Sequence, residues 1–158
     1  MDLHLEEFSP REVVYTRRVG PYQEMAPIAW RSLWSWLREK GHAGDVKRAI
    51  GFGLDDPTTT PLGERRYDAC VELHVPASED PEFDIAVQNI PGGPYAIHRL
   101  RGPYHQIGDA FQELHRAALP EKGLMADYTR PFLEIYINDP ADVPERELLT
   151  DLCIPVDT

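Results

Sequence analysis

The sequence predicts an α+β fold of two tandem ββαββ units, related by a pseudo-twofold axis, with antiparallel sheets, one helix per unit and a ligand cleft between them. Three observations carry this: an internal repeat, one helical stripe per copy, and strand-like runs at matching places around it. Arg17-x-x-Gly20-Pro21-Tyr22 recurs 82 residues on as Arg99-x-x-Gly102-Pro103-Tyr104. At the same offset Leu37, Glu39, Lys40 and Gly41 match Leu119, Glu121, Lys122 and Gly123, eight identities between 13–41 and 95–123 without a gap. Upstream, Leu3, Leu5 and Phe8 fall on Ile85, Val87 and Ile90. Downstream, after one inserted residue, Asp55-Asp56-Pro57 falls on Asn138-Asp139-Pro140, and Asp68-Ala69-Cys70-Val71 on Asp151-Leu152-Cys153-Ile154. A fixed period of this kind marks a repeated structural unit. One repeat spans about 3–75, the other about 85–157, and 76–84 is the joint. At eight or nine residues the joint is too short for an independent linker, so 1–158 is expected to pack as one domain.

Each element follows from local pattern. Leu3, Leu5 and Phe8 form a short strand broken at Ser9-Pro10, and Glu12–Val19, rich in Val, Tyr and Thr, is the second. Gly20-Pro21 ends it, and Pro suits the start of a helix because its missing N–H would have no partner there. Between Tyr22 and Lys40 the residues Met25, Ala29, Leu33, Trp36 and Leu37 recur at helical spacing, and Gly41 stops the helix. The second helix carries Ile107, Ala110, Phe111, Leu114 and Ala118. Ile50–Asp55 with Tyr67–Val75, and Phe132–Asn138 with Leu148–Val156, complete the strands. The Pro-rich stretches 57–63 and 139–147 are exposed loops.

The chain has 158 residues, of which 42% are hydrophobic and 27% charged, with a net charge of −11. Such a surface disfavours nucleic acid, whose binding rests on Lys and Arg neutralising phosphates; it reads first as an ordinary solvated surface, and more sharply as a field that favours cationic ligands or a basic protein partner. No run reaches the ~20 apolar residues of a membrane span, and the N-terminus lacks signal-peptide character, so a cytoplasmic protein is expected. Met1 stands directly before the first strand, which suggests a complete chain. Two cysteines and six scattered histidines predict no disulfide framework and no metal site; no cofactor motif is present.

The repeat also supplies an internal control for function. Strand side chains alternate, so Phe132, Glu134 and Tyr136 share one face and Leu133, Ile135 and Ile137 the other. The latter match Ile50, Phe52 and Leu54, and this apolar face is expected to pack under the helix. Glu134 and Tyr136 instead match Gly51 and Gly53, an acid and a ring where the other copy offers space. Glycine inside a strand costs stability and signals close approach of a ligand or backbone. A carboxylate between rings suits a lipophilic cation, through charge and cation–π attraction of roughly 0.5–2 kcal/mol, or it could serve as a general acid or base; the residues equally allow a glutamate on a solvated outer strand face beside two incidental rings. Trp30 and Trp34 overhang the cleft or pack partly, Trp36 belongs to the core, and Tyr67 and Tyr95 are within reach of the groove. Tyr22 and Tyr104 take a shared structural role.

These segments resemble the GyrI-like small-molecule-binding domain. The carriers are Arg17–Tyr22 (RRVGPY), Ile50–Pro57 (IGFGLDDP), Arg66–Val71 (RYDACV), Ile90–Tyr95 (IPGGPY), Arg101–Tyr104 (RGPY), Phe132–Pro140 (FLEIYINDP) and Asp151–Val156 (DLCIPV), in family order over nearly the whole chain. The resemblance implies a duplicated, SHS2-like module with the cleft between halves. It is a stand-alone domain in gyrase-inhibitory proteins, and the effector domain of AraC-type and multidrug-sensing regulators. It assigns ligand contact to Glu134, with Tyr136 and Phe132 as walls, and makes Glu134 catalytic if the chain is an enzyme of the branch that hydrolyses cyclopropane genotoxins. DNA gyrase is a further partner that the resemblance admits. With no helix-turn-helix ahead of the domain, regulation of transcription by the chain alone is not expected.

Overall fold

The computed structural model describes residues 1–76 and 78–157; Ala77, in the joint, lies outside them. In chain order the strands are β1 (His4–Phe8), β2 (Arg11–Val19), β3 (Val46–Gly53), β4 (Arg66–Leu73), β5 (Ala86–Ile90), β6 (Gly93–Arg101), β7 (Leu133–Tyr136) and β8 (Leu149–Pro155). Helix α1 (Tyr22–Glu39) follows β2. After β6, a 3-10 turn at Tyr104–Gln106 leads into α2 (Ile107–Glu113), a π-helical turn (Leu114–Ala118) and α3 (Leu119–Glu121). All strand pairs given below are antiparallel. No helix among the described residues is long and apolar enough to cross a membrane.

The chain forms two compact units, residues 11–90 and residues 1–10 with 91–158. In 11–90 the strands run β3-β4-β2-β5, and α1 lies on the sheet with Ala29, Leu33, Trp36 and Leu37 buried against Val14, Tyr67, Ala69, Val71 and Ile85. In the other unit the strands run β1-β6-β8-β7. There Ile107, Ala110, Leu114, Ala118 and Leu119 are buried against Ala96, Leu152, Ile154 and Val156.

The units interleave the sequence repeats. β1 pairs with β6 (Leu5 opposite Ala96), and β5 pairs with β2 (Val87 opposite Val14), so the leading strand of each repeat sits in the sheet formed by the remainder of the other. The connectors explain it. The favoured two-residue hairpin turns need positive φ at the first central residue; Pro91, fixed near −65°, does not supply it, and Ser9, ahead of Pro10, favours extended backbone. Neither strand can turn straight back on its successor, so the chain runs on. The connectors approach closely: a Cβ on Gly92 would stand 2.8 Å from the Pro10 nitrogen. The repeated Arg-x-x-Gly-Pro-Tyr has its own reason. Gly20 and Gly102 sit at φ 142° and 137°, where a side chain is strained, and each turns the chain from strand into helix.

Candidate ligand-binding site on β7

β7 pairs with β8 so that Glu134 lies opposite Leu152 and Tyr136 opposite Thr150. Opposed residues share a face, and Leu152 belongs to the core beneath α2. The helix therefore covers the side carrying Phe132, Glu134 and Tyr136. This corrects the expectation that Leu133, Ile135 and Ile137 pack under it. Leu133 and Ile135 are buried on the other face, with Leu133 opposite the buried Cys153, while Ile137 is 42% exposed. A sheet apolar on both faces gives no sign, from alternation alone, of which face the helix takes.

Rings flank Glu134 on both sides. Toward one end, Tyr136 donates its hydroxyl to Glu134 Oε1 at 2.8 Å, and Tyr104 meets the Tyr136 ring edge-on at 5.5 Å between centroids. Toward the other end, Phe132 lies 6.3 Å from Phe111 of α2 and stacks at 6.0 Å with Tyr128. Opposite Tyr136 the Thr150 hydroxyl is wholly buried, without a hydrogen-bond partner among the described residues. Glu134 is part-buried, between exposed and core. Loss of water raises its pKa to about 7, against the opposing pull of the Tyr136 hydrogen bond. Burial, helped by Asp139 and Glu134, pushes the Tyr104 hydroxyl up to about 12 and keeps it neutral. The arrangement can hold a cation by charge and an aromatic group by its rings, and it can exchange a proton near neutral pH.

The equivalent place in the 11–90 unit is filled differently. Tyr22 stands over Gly53, where a Cβ would come within 2.7 Å of Tyr22 Cε2, so the space over Gly53 belongs to Tyr22. Tyr67, the counterpart of Thr150, lies 6.0 Å from Tyr22 and accepts a 2.8 Å hydrogen bond from Trp30 Nε1. Gly51 is buried opposite Ala69 on this helix-covered face. One unit thus combines glycine with Tyr67, and the other Tyr136 with threonine. Gly53→Ala should destabilise the protein by about 1–3 kcal/mol through overpacking, and Gly53→Ala with Tyr22→Ala should recover part of the loss in urea melts; an unchanged midpoint for the single variant would refute the steric account.

Of the remaining predicted residues, Trp34 is half-buried against the α1 core. Tyr95 is wholly buried, 4.7 Å from Phe8 and capped at 5.0 Å by the Arg130 guanidinium, with its hydroxyl on the Pro91 carbonyl. So Phe132, Glu134 and Tyr136 come together, and Trp30, Tyr67 and Gly53 come together, whereas Trp34 and Tyr95 join neither set. Sequence reasoning missed Phe111, Tyr128 and His115 and gave Tyr104 only a structural role. The comparison of repeats held a signal for Phe132, since its counterpart is Ala49. Among the described residues no cluster of His, Cys, Asp and Glu could hold a metal.

Comparison with known proteins agrees with this architecture. A DNA gyrase inhibitor of Pectobacterium carotovorum is 33% identical over 119 residues, covering 74% of this chain and 75% of its own. The crystal structure of the EcmrR C-terminal domain superposes with a TM-score of 0.80 at 16% identity, over 99% of this chain and 98% of that one. The structure of SAV2435 bound to tetraphenylphosphonium superposes with a TM-score of 0.70 at 13% identity, over 99% and 94%. The GyrI-like small molecule binding domain matches residues 1–157, and the chain belongs to that family.

Proposed function

We propose that the protein binds amphipathic aromatic cations on β7, with Glu134 as the charge partner and Phe132 and Tyr136 as walls. The observation that carries this is a part-buried carboxylate set between rings, the arrangement that rewards a lipophilic cation over both a hydrated ion and a neutral ring. The bound tetraphenylphosphonium of SAV2435 supports the class of ligand. The test is titration calorimetry of wild type and Glu134→Gln with tetraphenylphosphonium and with neutral triphenylphosphine oxide. The variant should lose tenfold or more for the cation and under threefold for the neutral compound. Equal losses would remove the charge role.

A second reading makes Glu134 a general acid or base in hydrolysis of electrophilic, cyclopropane-type compounds, and its pKa near 7 favours that use. Turnover of a strained cyclopropane by wild type and not by Glu134→Gln would establish it. The relatives' name also makes DNA gyrase a candidate partner, which a supercoiling assay with the purified protein decides. The buried Cys70 and Cys153 suit a reducing compartment, and the cytoplasm is the proposed setting.

A further inference from the structure

The core leucines of the second repeat's helix stand one residue further apart than those of the first, and the consequence reaches the site. In α1 the buried Leu33 and Leu37 are four residues apart; in the second repeat the buried Leu114 and Leu119, which play the same part, are five apart. The π-helical turn Leu114–Ala118 absorbs the difference and keeps both leucines in the core. Such turns gather at functional places because they re-aim side chains without ending the helix. Here the turn carries His115, which hydrogen-bonds the Tyr128 hydroxyl and meets its ring edge-on at 5.8 Å. Tyr128 in turn stacks on Phe132, whose partner in the strand's alternation is Glu134.

Tyr128 is 72% exposed, an unusual position for a ring that is also fixed at so many points. Its loop is anchored on both sides. The Asp127 N–H donates to the Pro155 carbonyl, and its carboxylate accepts from Thr129 and Arg130. Arg130 also donates to the carbonyls of Gly92 and Val156. A ring held in place before binding loses little entropy when a ligand arrives.

We propose that Tyr128, positioned by His115, is the outer part of an aromatic ledge, Phe111–Phe132–Tyr128, that selects ligands with an extended aromatic arm over single-ring ones. The ledge extends the β7 site and rests on the reading of β7 as a ligand-binding strand; the experiment separates the two. Tetraphenylphosphonium, the single-ring cation benzyltrimethylammonium and the neutral polycyclic dye Nile red are titrated against wild type, Glu134→Gln, Tyr128→Ala, His115→Ala, Tyr128→Phe and His115→Ala with Tyr128→Phe. Tyr128→Ala should weaken the first and third probes about 5- to 10-fold, as loss of an aromatic partner does, and benzyltrimethylammonium less than twofold. His115→Ala and Tyr128→Phe should each cost two- to threefold, and together no more than either alone, because both delete the same hydrogen bond. Unchanged melting curves confirm that the exposed ring does not hold up the fold. Wild-type affinity of Tyr128→Ala for all three probes, or equal losses on all three, overturns the ledge. If Nile red weakens in Tyr128→Ala while Glu134→Gln leaves both cations unaffected, the ledge stands and the charge reading falls. Failure of all three probes to bind wild type overturns both.

Discussion

Arg17→Met should cost the protein about 3–5 kcal/mol, whereas Arg99→Met, the same residue of the same motif in the other repeat, should cost under about 1 kcal/mol. Both arginines form a two-point bridge to the aspartate directly across the ladder, Arg17 to Asp68 at 2.7 and 3.0 Å and Arg99 to Asp151 at 2.8 and 3.0 Å. Geometry does not separate them; solvent does. Asp68 is 0% exposed and takes a further 2.9 Å hydrogen bond from Gln88. Asp151 is near the surface, and the Arg99 side chain is 54% exposed. Removing Arg17 leaves a buried carboxylate without its countercharge. Removing Arg99 lets water take its place. Urea melts of the two variants read the difference directly, and similar midpoints would refute the argument. If Arg17→Met does not fold, Arg17→Met with Asp68→Leu provides the check: deleting both charges should restore folding.

That pair shows where the sequence is legible and where it stops. The match of Arg17 and Asp68 to Arg99 and Asp151 was visible in the repeat, but burial, which fixes the energy, depends on what the fold brings over each pair. The strands and helices were readable because Val, Tyr and Thr runs, helical stripes and Gly-Pro turns are local signals. Partner choice is not local. Nothing in Leu3, Leu5 and Phe8 says that β1 pairs with β6; only the prolines in the two connectors argue against hairpins. Glu134 and Tyr136 stood out because the other repeat has Gly51 and Gly53, a comparison that needs no coordinates. The face they occupy did not, because Leu133 and Phe132 are both apolar. Tyr128 lies in a stretch with no periodicity, and the π turn is hidden by a gapless alignment: the 3-10 turn at Tyr104–Gln106 shifts the helix by one residue and the π turn shifts it back.

The affinity of wild type for tetraphenylphosphonium should rise about tenfold per pH unit from pH 5 toward 7 and then level off, while Glu134→Gln binds weakly and evenly throughout. The reason is the Glu134 pKa of about 7. Below that pH the carboxyl is mainly neutral and a cation must displace its proton; above it the anion is ready. The same titration acts on stability with the opposite sign. Near pH 4 the group is protonated in both folded and unfolded chains and costs nothing. Between about 4.5 and 7 the unfolded chain ionises while the folded one does not, so stability falls by about 1.4 kcal/mol per pH unit and reaches a plateau above 7. Glu134→Gln removes that penalty. At pH 8 it should be more stable than wild type by about 3 kcal/mol, and near pH 4 no different. A residue whose loss strengthens the fold and abolishes pH-dependent cation binding is held there by its ligand, because strain kept at a site is retained only where it serves function. Equal melting temperatures at pH 8, or an affinity that ignores pH between 5 and 7, would place the Glu134 carboxylate in water and leave β7 without its charge chemistry.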